Sequence, residues 1–320
     1  LTNPLLDHWD TPFQVPPFAK INTSDFAPAL ESAMQENLEK IDAIATNPAP
    51  PTFANTIEAM ETTGELMHKV LSPFYTMAGA HTNPDLDALM REFSPKLAAH
   101  GAKISGNKDL FKRVETLWKS RESLDLSNEQ KMLLKSEYLG FVRAGAALTG
   151  AKEVRLTEVK SRLSVLCTNF VQNVLADERD WYMKLDDADL EGLPDFLIQA
   201  AKNAGQDKGI DSAIITTSRS LIVPFLQCSL RRDLRERAKR AWDQRGANGG
   251  EYDNLKIAQE ILSLRQERAE LLGYANFAEF KLETEMAKTP ETVRKFLMDV
   301  WEPAKRAAEK DAKILSDLLH

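Results

Sequence analysis

The chain has 320 residues, 43% of them hydrophobic, and a formal net charge of -7; these are the proportions of a globular protein with a sizeable core and not of a disordered chain. No apolar run is long enough to span a bilayer, and an acidic surface is a poor match for phosphates, so neither a membrane nor a nucleic-acid partner is expected. Cys167 and Cys228 are the only cysteines, and their apolar, helix-spaced surroundings predict two buried thiols and no disulfide, which fits a reducing, cytoplasmic compartment.

Residues 1–22 carry Pro4, Pro12, Pro16 and Pro17 among Trp9, Phe13 and Phe18, a composition that predicts an extended arm docking its aromatics on the body. Leu1 is not an initiator Met, so a removed leader is compatible with this start. Ser24-Asp25 opens a helix to about Ala45 with Phe26, Leu30, Met34, Leu38 and Ile41 at helical spacing, stopped by Asn47 to Pro51. Thr52 caps the next, from Phe53 to about Met67, and Pro73 is expected to kink or restart the helix that follows. Asn83-Pro84 starts a helix to about Ile104, residues Lys108 to Lys119 form another, and Ser127 with Gln130 makes a capping box for one reaching about Leu148. Gly150 precedes a helix from about Lys152 to Leu175.

The rhythm then changes. Trp181 to Leu185 and Ala213 to Thr217 are rich in aromatic and β-branched residues and read as two short strands, with a helix between them that opens at Leu193-Pro194 and ends at Gly205. A basic helix from Leu230 to about Arg245 leads to a linker at Gly246, Gly249 and Gly250. Its arginines alternate with Asp233 and Glu236, which predicts a salt-bridged, solvated face. The domain plan is an arm over 1–22, a helical domain over 23–178, and a helical segment with short strands over 179–320.

The best-patterned stretch is Tyr252 to Leu297. At 100° per residue Leu255, Ala258, Ile261, Leu262, Ala269 and Leu272 share one face, and Arg265 falls in the middle of it. A guanidinium there must find a carboxylate or snorkel outward; a buried structural ion pair is expected for Arg265. Gly273 ends this helix, Asn276 with Glu279 starts one through Ala287, and Thr289-Pro290 starts a third in which Pro303 is a kink site. The chain stops inside helical sequence at His320, which suggests a fragment.

Chemistry-bearing motifs are sparse. Of five histidines the closest are His68 and His81, thirteen apart, and zinc hydrolases need two imidazoles one helical turn apart. His81, beside a helix start, is expected to make a loop hydrogen bond. Gly145 to Lys152 departs from the phosphate-loop pattern and reads as a helix cap. No nucleophile elbow occurs, and no carboxylate is singled out as acid or base, so no catalytic, metal or cofactor residue is assigned.

The run from Leu264 to Leu297, with Pro73 to Leu89 (PFYTMAGAHTNPDLDAL) and Leu117 to Glu129 (LWKSRESLDLSNE), resembles the zinc metallo-oligopeptidases of the thimet oligopeptidase type, most of all the bacterial peptidyl-dipeptidases. The family's HExxH motif is absent, so the resemblance is to the N-terminal portion of such an enzyme. It implies a mainly α fold, a multi-helix bundle with at most a small two-stranded ribbon, forming one wall of a channel. It also implies zinc in the full-length protein and none on this chain, short unfolded peptides as substrates, and the C-terminal catalytic half of the same protein as partner. An oligopeptidase A-like endopeptidase is the alternative, and a non-catalytic helical scaffold the alternative of another class.

Overall fold

The computed structural model describes residues 3–319, so Leu1, Thr2 and His320 lie outside it. The fold is mainly α, with a single two-stranded antiparallel sheet among the described residues. Two compact units divide at Thr149/Gly150.

In the first unit, the helices are α1 (Thr23–Ala45), α2 (Ala59–Thr63), α3 (Glu65–Ala80), α4 (Pro84–Ser105), α5 (Lys108–Ser120) and α6 (Asn128–Ala144). Helix α1 is its spine. The first half of α1 buries Phe26 and Leu30 with Val70 and Phe74 of α3 and Leu86 and Phe93 of α4; the Phe26 and Phe74 rings are 5.1 Å apart. Its second half buries Ile41 and Ile44 with Leu110 and Val114 of α5 and Leu134 and Phe141 of α6. One amphipathic helix thus serves two cores because its apolar stripe runs its full length.

Capping chemistry places the starts where the sequence does. The side chain of Asn83 accepts from Asp85 N at 3.1 Å and Leu86 N at 2.9 Å, and Ser127 and Gln130 exchange both bonds of the capping box. Gly145 takes the left-handed conformation, φ 103°, and closes α6 at Ala144, short of Leu148. Thr52 caps a π-helical turn over Phe53–Glu58, and the interruption expected at Pro73 falls instead at Gly64. Pro73 is buried inside α3 beside Val70 and Phe74, so its packing offsets the hydrogen bond it cannot donate. The Asn47–Pro51 stop is held by Arg113, 7% exposed, which donates to the carbonyls of Asn47 at 2.8 Å and Ala49 at 3.1 Å and to Asn55 Oδ1 at 2.9 Å. The arm docks in part: Leu5 is buried and Trp9 packs on the α1/α3 core, whereas Phe13 is 99% exposed, and short 3-10 turns at Pro12–Gln14 and Phe18–Lys20 replace a fully extended course.

The second unit contains α7 (Ala151–Asp180), β1 (Tyr182–Leu185), α8 (Asp195–Asp207), β2 (Ala213–Thr216), α9 (Arg219–Cys228), α10 (Arg232–Asp243), α11 (Leu255–Leu271), α12 (Phe277–Leu282) and α13 (Pro290–Leu319). The strands pair antiparallel, with Tyr182 opposite Thr216 and Leu185 opposite Ala213. Met183, Leu185 and Ile215 pack with Leu197 of α8 and Ile222 and Phe225 of α9 in one core.

Several expectations are corrected here. Gly205 does not end α8; it lies inside, where a Cβ would sit 2.0 Å from the Ser212 carbonyl oxygen, so glycine is demanded by close backbone approach. Helix α12 stops at Leu282, short of Ala287, and the chain turns at once, with Glu285 N donating to Leu282 O at 2.9 Å. Helix α13 runs on through Pro303, as the sequence leads one to expect. Cys167 is exposed and Cys228 half-buried, both free, so neither is the buried thiol expected. The division at 149/150 precedes the planned break at 178/179 because α7 packs along α11, in the second unit.

Candidate functional site

Helices α7 and α11 make the organising pair of the second unit. Val159, Leu163 and Leu166 of α7 pack on Ile257, Ile261, Leu264 and Leu271 of α11, rows at spacings of three, four and seven like the seam of a coiled coil. Arg162 forks onto Glu260 with bonds of 2.6 and 2.8 Å, and Arg155 onto Glu267 with 2.6 and 2.9 Å. Residue numbers rise along α7 as their partners fall along α11, so the pair is antiparallel. The forks raise both guanidiniums' affinity for the proton and lower both carboxylates', so all four groups stay charged.

The glycine linker is a pinned turn. Asp177 of α7 accepts from Gly246 N at 2.8 Å and from Asn248 Nδ2 at 2.7 Å. The buried Asn254 donates to Phe170 O at 2.9 Å and accepts from Asn173 at 3.0 Å. Gly246 is in the left-handed region at φ 69°, where a Cβ would also meet the Asn254 amide at 2.9 Å.

Arg265 is half-buried. Its guanidinium lies 5.2 Å from the Phe277 ring centroid, and among the described residues no ion pair to it takes the place of the expected buried one. The reason is helix phase. The buried row is Ile257, Ile261, Leu264 and Leu271, whereas Leu255 and Leu262 are 59% and 64% exposed. Arg265 therefore sits beside the seam, where an aromatic ring receives its flat cation. Arg268 repeats the arrangement over Phe280 at 5.0 Å.

The basic run on α10 is salt-bridged: Arg231 pairs with Asp189 and Asp233, Arg240 with Glu236 at 2.9 Å, and Lys239 with Asp243. Beside it is a cleft of ≈ 390 Å³ lined by Trp181, Asp233, Glu236, Arg237, Arg240 and Asn248. Its hydrogen bond from Arg231 holds the Asp233 carboxyl below its ordinary range, which makes a stable anion and a poor general base. The lining of the cleft assembles no nucleophile, base and orienting group.

The histidines do not converge. His8 and His81 are exposed, His68 approaches Ser72 at 3.4 Å, and His100 is buried against Asn37 at 2.8 Å; His320 lies outside the described residues. At His81 the backbone N–H closes onto Met77 O at 2.8 Å. No group of three or more His, Cys, Asp or Glu among the described residues could hold a metal ion. The two ion pairs, spaced seven residues apart on each helix, are not singled out by the sequence pattern, although their signal, Arg155 and Arg162 against Glu260 and Glu267, is present.

Residues 225–320, from within α9 through α13, match the description of Peptidase family M3. Over these residues the chain is similar to that family. It is 34% identical over 316 residues, 98% of its length, to dipeptidyl carboxypeptidase of Salmonella typhimurium, and 34% identical over 97% of its length to that of Escherichia coli. Oligopeptidase A of Escherichia coli is 30% identical over 99% of the chain. In each case the match covers 46% of the relative, so the chain spans about half the length of the curated relatives it matches. No helix among the described residues is long and apolar enough to cross a membrane.

Proposed function

We propose that the full-length protein is a zinc metallopeptidase that hydrolyses short unfolded peptides and releases C-terminal dipeptides, and that this chain supplies part of the wall of its substrate channel. The observation that carries it is 34% identity to dipeptidyl carboxypeptidase across 98% of the chain. The zinc ligands and the base that activates metal-bound water belong, on this reading, to the catalytic half, because the described residues present no such set. The compartment is the cytoplasm, with neither a membrane nor a nucleic acid as partner. This chain alone binds no stoichiometric zinc and cleaves no peptide.

Oligopeptidase A-like endopeptidase activity is the second reading, favoured by 30% identity over 99% of the chain. The two are separated by incubating the purified full-length protein with a short peptide bearing either a free or an amidated C-terminus. Stepwise release of dipeptides from the free form alone, abolished by a chelator, is expected. Internal cleavage of both forms installs the second reading, and no zinc with no cleavage removes both.

A further inference from the structure

Helix α13 runs 30 residues without burying one of them. At 100° per residue its apolar side chains nevertheless gather on one face from Val293 to Leu318, with Lys295, Glu302, Arg306 and Lys313 on the other. Val300, Trp301, Leu315 and Leu318 are 54%, 57%, 63% and 78% exposed. An apolar stripe about 38 Å long is far more than the scattered exposure of an ordinary surface and marks an interaction face.

Resting on the peptidase reading above, we infer that this face is the docking surface for the part of the full-length protein that corresponds to the remaining half of the relatives. The family match includes all of α13, so the helix belongs to the fold its relatives share, and the relatives extend to about twice the matched length. A second copy of the chain fits less well. Asp311 falls on the axis of the stripe; parallel pairing of two copies opposes two carboxylates, and antiparallel pairing about the helix centre sets each near Leu297 and Val300, leaving a desolvated charge on an apolar surface.

The test uses single cysteines at Val300 and Leu315 on the stripe and at Lys305 and Lys313 off it, in a Cys167→Ser, Cys228→Ser background, labelled with a maleimide. In the full-length protein the Val300→Cys and Leu315→Cys thiols are expected to react at least about tenfold slower than the other two, and in the 320-residue chain all four at similar rates. Equal rates in the full-length protein overturn the proposal. Protection already present in the 320-residue chain, with a concentration-dependent dimer in sedimentation, overturns it in favour of a second copy. Zinc content and peptide cleavage are measured on the same full-length samples. Protected thiols without either remove the peptidase reading and leave the docking face, whereas zinc-dependent cleavage with unprotected thiols removes the docking face alone.

Discussion

Arg162 and Glu260 face each other across the α7/α11 seam through two parallel hydrogen bonds of 2.6 and 2.8 Å, and the same fork recurs one heptad away between Arg155 and Glu267. Because the step is seven residues in both helices, sliding α11 by one turn breaks both forks and also moves Ile261 and Leu264 off Val159 and Leu166. Charge and apolar packing therefore specify one register together. The forks are exposed, so their main effect is selection of register and not stability.

Reversing one charge should lower stability and reversing both should recover it. Arg162→Glu is expected to lower the urea midpoint by setting two carboxylates face to face, and Arg162→Glu with Glu260→Arg to restore it. A double variant no better than the single would mean the two side chains do not act as a pair.

The phase of α11 is tested by two leucines two residues apart. Leu264→Ala removes a side chain only 9% exposed and is expected to cost about 2–4 kcal/mol. Leu262→Ala, at a position 64% exposed, should stay within about 0.5 kcal/mol. Equilibrium denaturation of the two variants reads the difference directly, and the reverse order would restore the face drawn from the sequence.

Acid should loosen the first unit through His100. Burial, with Lys103 nearby, lowers its affinity for a proton below the ordinary value of 6.5. Its Nε2 contacts Asn37 Oδ1 at 2.8 Å and its Nδ1 is buried without a partner, so protonation would add a donor with nothing to accept it. The folded state then binds the proton less readily than the unfolded one. Its contribution is complete above 6.5 and is lost as pH falls below that value towards the lowered folded one. Denaturation midpoints should drop on acidification through this window, and His100→Gln should show a smaller drop than the parent chain. An identical pH dependence in the two proteins would assign the effect elsewhere.

Gly205→Ala should be severe despite its size. The added Cβ meets the Ser212 carbonyl oxygen at 2.0 Å and Ile210 O at 3.0 Å, both backbone atoms that cannot rotate away. A cost at or above about 3 kcal/mol is expected. Gly209→Ala has nothing within 4 Å but a left-handed φ of 67°, so it should cost only about 1 kcal/mol. Thermal melts of both would show whether close approach outweighs backbone conformation at this turn.

Local chemistry alone determined where most helices begin, because a cap is a contract among four consecutive residues: Asn83 with Leu86, Ser127 with Gln130 and Asn276 with Glu279 bond as the sequence spells them. The α-rich class and the two-strand ribbon were legible for the same reason, since periodicity and β-branching act within a few residues. Tertiary structure decided what depends on distant partners. Ile257, Ile261, Leu264 and Leu271, not Leu255 and Leu262, face inward on α11 because α7 offers its own row at Val159, Leu163 and Leu166. Arg265 thereby rests on Phe277 and not on a carboxylate. Gly205 looked like a helix end until Ser212 was brought against it. Arg113 was one basic residue among many until the Asn47–Pro51 stop folded over it. An amphipathic pattern announces that a face will be covered, but its phase and partner are set by packing between segments far apart in sequence, which no local window contains.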